Sequence, residues 1–100
     1  MKHQILSPEE LGVVVRAVRK SSGVRQDDLA ALAGVSKQFA ADVERGKATA
    51  QIGLVMKLLE HLGLTITVNV PESALPEMQR IKVKRARGKT SGSPDSGTDS

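Results

Sequence analysis

Apolar residues recur over the first 63 positions at spacings of three and four, the repeat of helices with one buried face. The recurrence breaks at Gly23, Gly34, Gly46 and Gly63. Four helices are predicted. The first is expected over residues 8–22, with Leu11, Val14 or Val15, and Val18 as its stripe and with Arg16, Arg19 and Lys20 lying largely off it. Ser7 supplies a hydroxyl cap, Pro8 gives up no needed N–H in a first turn, and Glu10 stands three residues after the cap. The second is expected over residues 26–33, with Leu29, Leu32 and Ala33 inward and with Asp27 and Asp28 near the positive end of the helix dipole. Ser36 caps a third that extends to about Arg45, with Ala40 and Val43 facing the core. The fourth follows Thr49 as its capping residue and runs through Leu62, burying Ile52, Val55, Met56, Leu59 and Leu62.

The period then changes. Residues 64–70, LTITVNV, are rich in β-branched side chains, alternate in part, and end at Pro71, which predicts one short strand. A lone strand has unpaired edges, and residues 1–63 offer no other. The expected partner is the same segment of a second chain, so that Thr65, Ile66, Thr67, Val68, Asn69 and Val70 form a two-stranded ribbon across a dimer axis. Residues 71–80 carry Pro71 and Pro76 with few apolar side chains, and from Arg87 onward the chain is Gly, Ser, Thr, Pro, Asp and Lys. Residues 71–100 are therefore expected to be a basic, flexible tail.

One hundred residues suffice for one small domain. Cysteine is absent and the histidines are His3 and His61 alone, which argues against disulfides and a structural zinc site. Phe39 is the sole aromatic residue, expected either in the core beside Ala40 or against a thymine methyl, and one ring gives almost no platform for stacking single-stranded bases. Duplex recognition stays open. No apolar run approaches the roughly 20 residues that span a bilayer, and MKHQILSPEE lacks the apolar centre of a secretory signal. The expected location is the cytoplasm, on the nucleoid, without a membrane partner.

The net charge of +4 favours polyanions. Six of the basic residues lie between Arg80 and Lys89 with no acid among them, so much of the excess sits in one block. Catalysis finds little support: Asp27 and Asp28 are neighbours on one helix and cannot oppose each other across a substrate. His61 lies on a helix that otherwise looks structural, and no glycine-rich phosphate loop, HExxH or nucleophile elbow occurs. No enzyme activity and no cofactor are expected.

Residues 26–47, QDDLAALAGVSKQFAADVERGK, hold two short helical patterns around a glycine turn. Small Ala30 stands where the helices must approach, Gly34 at the bend, Val35 as an apolar plug after it, and Val43 inward on the capped third helix. Such an arrangement can hold one helix against DNA while its partner crosses the backbone. The longer stretch LGVVVRAVRKSSGVRQDDLAALAGVSKQFAADVERGKATAQIGLVMKLLEHLGLTITV resembles the Xre/Cro-type helix-turn-helix proteins, and within them the HipB-like antitoxin and regulator group, over roughly residues 11–70.

The resemblance implies a mainly α, four-helix, lambda-repressor-like DNA-binding domain, here followed by the short strand. It implies that Gln26 contacts a phosphate and that Lys37, Gln38, Ala41 and Asp42 face base edges, with Ser36 nearer the backbone. Glu44 would position the third helix, Gly46 would let the chain turn, and Lys47 would approach phosphate. Arg25 replaces the Thr or Ser usual before Gln26, weakening the cap while offering a cation to phosphate. Chemically, Gln38 can pair with adenine, Lys37 can donate to guanine, and Asp42 can accept only from cytosine N4. Arg16 or Arg19 is a further candidate for positioning the body on DNA.

The function implied is a homodimeric, sequence-specific repressor of double-stranded DNA bearing an inverted repeat. The same resemblance implies an alternative, an antitoxin that binds a HipA-like serine/threonine kinase toxin and represses their shared operon. A protein-interaction module with degenerate DNA binding is the third reading, supported by Asp42 and the modest charge.

Overall fold

The computed structural model describes residues 1–90. Among the described residues there are five α-helices, α1 Pro8–Ser21, α2 Gln26–Ala33, α3 Lys37–Glu44, α4 Ile52–His61 and α5 Leu75–Thr90, with one 3-10 turn at Glu72–Ala74. The chain divides into two compact units, Met1–Ile66 and the segment from Thr67 onward.

In the first unit, α1 starts as its sequence dictates: the Ser7 hydroxyl accepts from the Glu10 N–H at 3.1 Å, with Pro8 in the first turn. The core is aliphatic and small, built from Val15, Leu29, Ala30, Ala33, Ala40, Val43, Val55, Leu58 and Leu59. Full burial of each large member stabilises the fold by about 1.5–3 kcal/mol relative to exposure.

Helices α1 to α4 stop by one device. Gly23, Gly34, Gly46 and Gly63 all take positive φ, between 73° and 84°, a conformation that a Cβ penalises. The residue after each glycine donates its N–H back to the fifth residue before it: Val24 to Arg19, Val35 to Ala30, Lys47 to Asp42 and Leu64 to Leu59, at 2.9–3.1 Å. Three of those four residues, Val24, Val35 and Leu64, fold back as apolar plugs against the core. The fourth, Lys47, is exposed. The turn that serves elsewhere to seal the core here presents a cation.

Small residues set the helix spacing. A Cβ on Gly12 of α1 would lie 2.6 Å from the backbone oxygens of Val43 and Glu44, so α1 and α3 touch backbone to backbone. Their close approach fixes α3 against the rest of the unit.

Several expectations are corrected. Leu32 is 67% exposed, because α2 packs through Leu29, Ala30 and Ala33. Thr49 does not cap α4: it lies in the turn after Lys47, and Gln51 occupies the cap position without a side-chain bond. On α4 the deeply buried residues are Val55, Leu58 and Leu59, whereas Ile52 and Met56 are 69% and 49% exposed. The helix is apolar on most sides, so its sequence carries two overlapping stripes, and packing against the other helices selects between them.

Among the described residues there is no strand. Leu64 packs on the core and Thr65, Ile66, Thr67, Val68, Asn69 and Val70 are exposed, because a strand ladder needs a second edge that a single chain does not supply here. The expected flexible tail is also corrected over Glu72–Thr90, where the 3-10 turn and α5 form. Pro76 sits in the first turn, where no N–H is needed, and Met78, Gln79, Arg80, Lys82, Arg85 and Ala86 are individually good helix formers. Glu77 and Arg80 form an ion pair one turn apart. The part of the tail expectation that falls on residues 91–100 lies outside the described residues.

Candidate nucleic-acid interface

The candidate interface centres on α3. Ser36 stands in extended conformation and its hydroxyl accepts from the Phe39 N–H at 2.9 Å, so the helix begins abruptly with Lys37 and Gln38 in its exposed first turn. Ala40 and Val43 are buried, Phe39 is half-buried against the core, and Ala41 is half-buried. Across the bend, Gly34 is exposed and no atom lies within 4 Å of where its Cβ would stand. Its requirement is therefore conformational, with φ 75°. Ala30, 1% exposed, and Val35 occupy the seam between α2 and α3.

The far end of α3 is locked by a buried ion pair. Arg19 of α1 grips Glu44 through two parallel bonds, Nε to Oε2 at 2.6 Å and Nη2 to Oε1 at 3.1 Å, and its Nη1 donates to the Val24 carbonyl at 2.9 Å. Gln26 at the start of α2 adds a third donor, Nε2 to Glu44 Oε1 at 3.0 Å. The hydrogen bond to Glu44 raises the Arg19 pKa above its ordinary value against the opposing cost of burial, with the Coulomb attraction of Glu44 adding to the rise. One carboxylate thus ties α1, α2 and α3 together.

Arg19 was a candidate for the DNA surface and is instead interior, 8% exposed, whereas Arg16 is exposed. Its role was missed, although a signal existed: Gly12, Val15 and Arg19 follow the three-then-four spacing of the buried face of α1. Gly12 escaped notice because close backbone approach leaves no mark in a periodicity of apolar side chains.

The outer face of α3 carries a second knot. Asp42 accepts from Gln38 Nε2 at 2.9 Å and from Arg45 Nη2 at 2.6 Å, and pairs with Lys47 Nζ at 3.5 Å. The hydrogen bond from Gln38 chiefly holds its carboxyl below the ordinary Asp value. Burial opposes this, and Lys47 and Arg45 reinforce it. Lys37 lies exposed beside this cluster in sequence. Arg25, ahead of α2, makes no side-chain cap bond and pairs with Asp27 at 3.3 Å. Gly46 is buried, and a Cβ there would fall 2.7 Å from the Glu9 Cα. Among the described residues no group of three or more His, Cys, Asp or Glu is placed to hold a metal, and no helix is long and apolar enough to cross a membrane.

Two short helices at a glycine bend, the second capped and exposed at its start, define a helix-turn-helix. A family model described as Helix-turn-helix matches residues 15–69. The chain belongs to this helix-turn-helix family, of the Xre type, and is a DNA-binding transcriptional regulator. It is 46% identical over 71 residues to the uncharacterized HTH-type transcriptional regulator y4mF of Sinorhizobium fredii, an alignment covering 71% of this chain and 93% of that one. Its fold is similar to that of HipB in a complex with the O4 20mer, with TM-score 0.64 and 24% identity over 71% of this chain and 100% of that one. The HipA–HipB–O2–O3 complex contains a similar chain, with TM-score 0.65 and 24% identity over 71% of this chain and 100% of that one.

Proposed function

We propose that this protein is a homodimeric repressor that reads an inverted repeat in double-stranded DNA. The observation that carries the reading is the exposed start of α3, with Lys37 and Gln38 outward, on a helix whose other end is locked by the Arg19–Glu44 pair. Rigid support of this kind lets a short helix keep its orientation in a major groove. Gln38 pairs with adenine and Lys37 with guanine, Ala41 offers a methyl-sized contact, and Arg16, Arg25, Gln26, Ser36 and Lys47 meet the backbone. The Gln26 amide has a second N–H beyond the one given to Glu44, so the same side chain can brace Glu44 and contact a phosphate.

Dimerisation through residues 65–70 is supported by their pattern. Ile66, Val68 and Val70 alternate with Thr65, Thr67 and Asn69, and the three apolar members are 49%, 71% and 41% exposed. An open groove of about 410 Å³ adjoins the start of the segment, lined by Met56, Leu59, Glu60, Gly63, Leu64, Thr65 and Ile66. Pairing with a second copy would supply the missing ladder and place two α3 helices about one helical turn of DNA apart.

The test compares Gln38→Ala with Lys47→Ala in duplex titrations at fixed salt. Loss of Lys47 is expected to weaken cognate and scrambled duplexes about equally, and loss of Gln38 to flatten the preference between them by about 5- to 150-fold. The reverse pattern would overturn the assignment. Equal weak binding of the unaltered protein to both duplexes would favour a protein-interaction module instead.

A second reading, an antitoxin that also binds a HipA-like kinase toxin, is favoured by the likeness to HipB in a complex that includes HipA. Stable co-purification with a kinase encoded beside it is the expected result. A kinase neighbour that fails to associate would count against it.

A further inference from the structure

The Gln38–Asp42 contact goes beyond the division of labour just proposed, and its meaning rests on that reading of α3. The Gln38 amide offers two N–H donors and one carbonyl acceptor. One donor is already committed to Asp42 Oδ1 at 2.9 Å. What remains facing outward is one donor beside one acceptor, the complement of the N7 acceptor and N6 donor on adenine. An unrestrained glutamine can rotate its amide by half a turn and present that pair in the opposite order. Here the rotated form would set Oε1 against a carboxylate, which can only accept and would repel it.

We propose that Asp42 is a positioning residue that fixes the polarity of the Gln38 amide for adenine, and that it contacts no base itself. A direct contact would need cytosine N4 to compete for an acceptor already engaged by Gln38, Arg45 and Lys47. The same carboxylate partly neutralises Arg45 and Lys47, which weakens the pull of Lys47 on phosphate without abolishing it, so it restrains affinity for DNA in general while sharpening preference. Spatially the cluster is local: Gln38 and Asp42 lie one turn apart on α3, Arg45 is the residue that ends the helix, and Lys47 follows the turn at Gly46.

The experiment uses the full chain and a randomised pool of double-stranded oligonucleotides, from which the unaltered protein selects its preferred duplex. Gln38→Ala, Asp42→Asn, Asp42→Ala and the Gln38→Ala/Asp42→Ala double variant are then titrated against that duplex and its single base-pair substitutions at two salt concentrations. Asp42→Asn keeps shape and hydrogen bonding but accepts either amide orientation. Thermal unfolding of each variant identifies any that is not folded at the assay temperature, and the isosteric Asp42→Asn carries the comparison if Asp42→Ala is lost.

Both Asp42 variants are expected to lower discrimination by about 2- to 10-fold, the scale of one immobilised side chain, at the base pair where Gln38→Ala also lowers it. They should leave discrimination unchanged when Gln38 is already Ala. Affinity for non-preferred duplexes should rise and its salt dependence steepen, since Arg45 and Lys47 are released. Weaker folding alone would lower affinity for every duplex and produce neither effect. Discrimination retained at that base pair, or lost at a different one, would overturn the positioning role while leaving the repressor reading intact. If the unaltered protein selects no duplex, that reading fails and the inference fails with it.

Discussion

Two carboxylates on α3, Asp42 and Glu44, carry opposite duties. Glu44, buried, accepts from Arg19 and Gln26 and makes the helix part of the unit, whereas Asp42 gathers Gln38, Arg45 and Lys47 on the outer face. Breaking a buried pair leaves an uncompensated charge, and that penalty exceeds the net worth of the pair itself. Arg19→Ala is therefore expected to lose about 3–5 kcal/mol of stability, measured by urea unfolding with an unchanged m-value. A loss below about 1 kcal/mol, the range of exposed pairs, would show that the Glu44 carboxylate is not held as described. Lysine at position 19 should recover only part of the loss, since one ammonium cannot reproduce the parallel fork or the bond to the Val24 carbonyl.

At the scale of elements, α2 and α3 were legible in the sequence because each is bounded by a residue with a single job: Gly34 at the bend, Ser36 at the cap, Gly46 at the exit. The rotation of α4 was not legible. Lys57, Glu60 and His61 mark the outside, but Ile52, Leu54, Val55, Met56, Leu58, Leu59 and Leu62 spread over so wide an arc that its centre is not fixed by sequence, and the chosen register depends on which neighbours close over it. That choice is testable. Leu58→Ala is expected to cost about 2–5 kcal/mol, and Ile52→Ala within about 0.5 kcal/mol of nothing, in monomeric unfolding titrations. Comparable losses would mean that the buried face is misassigned. The helix over Leu75–Thr90 escaped the sequence reading because Pro71 and Pro76 read as breakers, and a proline in a first turn breaks nothing. The proposed base-facing role of Lys37 and Gln38 rests on the family pattern, since these exposed residues have no periodic signature of their own. Their link to Asp42 required coordinates.

On the scale of the whole molecule, the proposed repressor offers α3 as one short helix to a groove, and two copies would span successive major grooves. Ile66, Val68 and Val70 are exposed, and the proposed ribbon would bury them against a second copy. Sedimentation is expected to give twice the 10.6 kDa chain mass, and Val68→Lys to shift the population toward the single chain. A monomer that binds duplex DNA as tightly as before would remove the ribbon from the account. Recognition of DNA itself is assigned to α3. Amide chemical shifts recorded while the selected duplex is added test it most directly: the largest changes are predicted at residues 36–42 and at Lys47, with α4 nearly silent. Shifts concentrated elsewhere, with residues 36–42 unmoved at saturation, would contradict it.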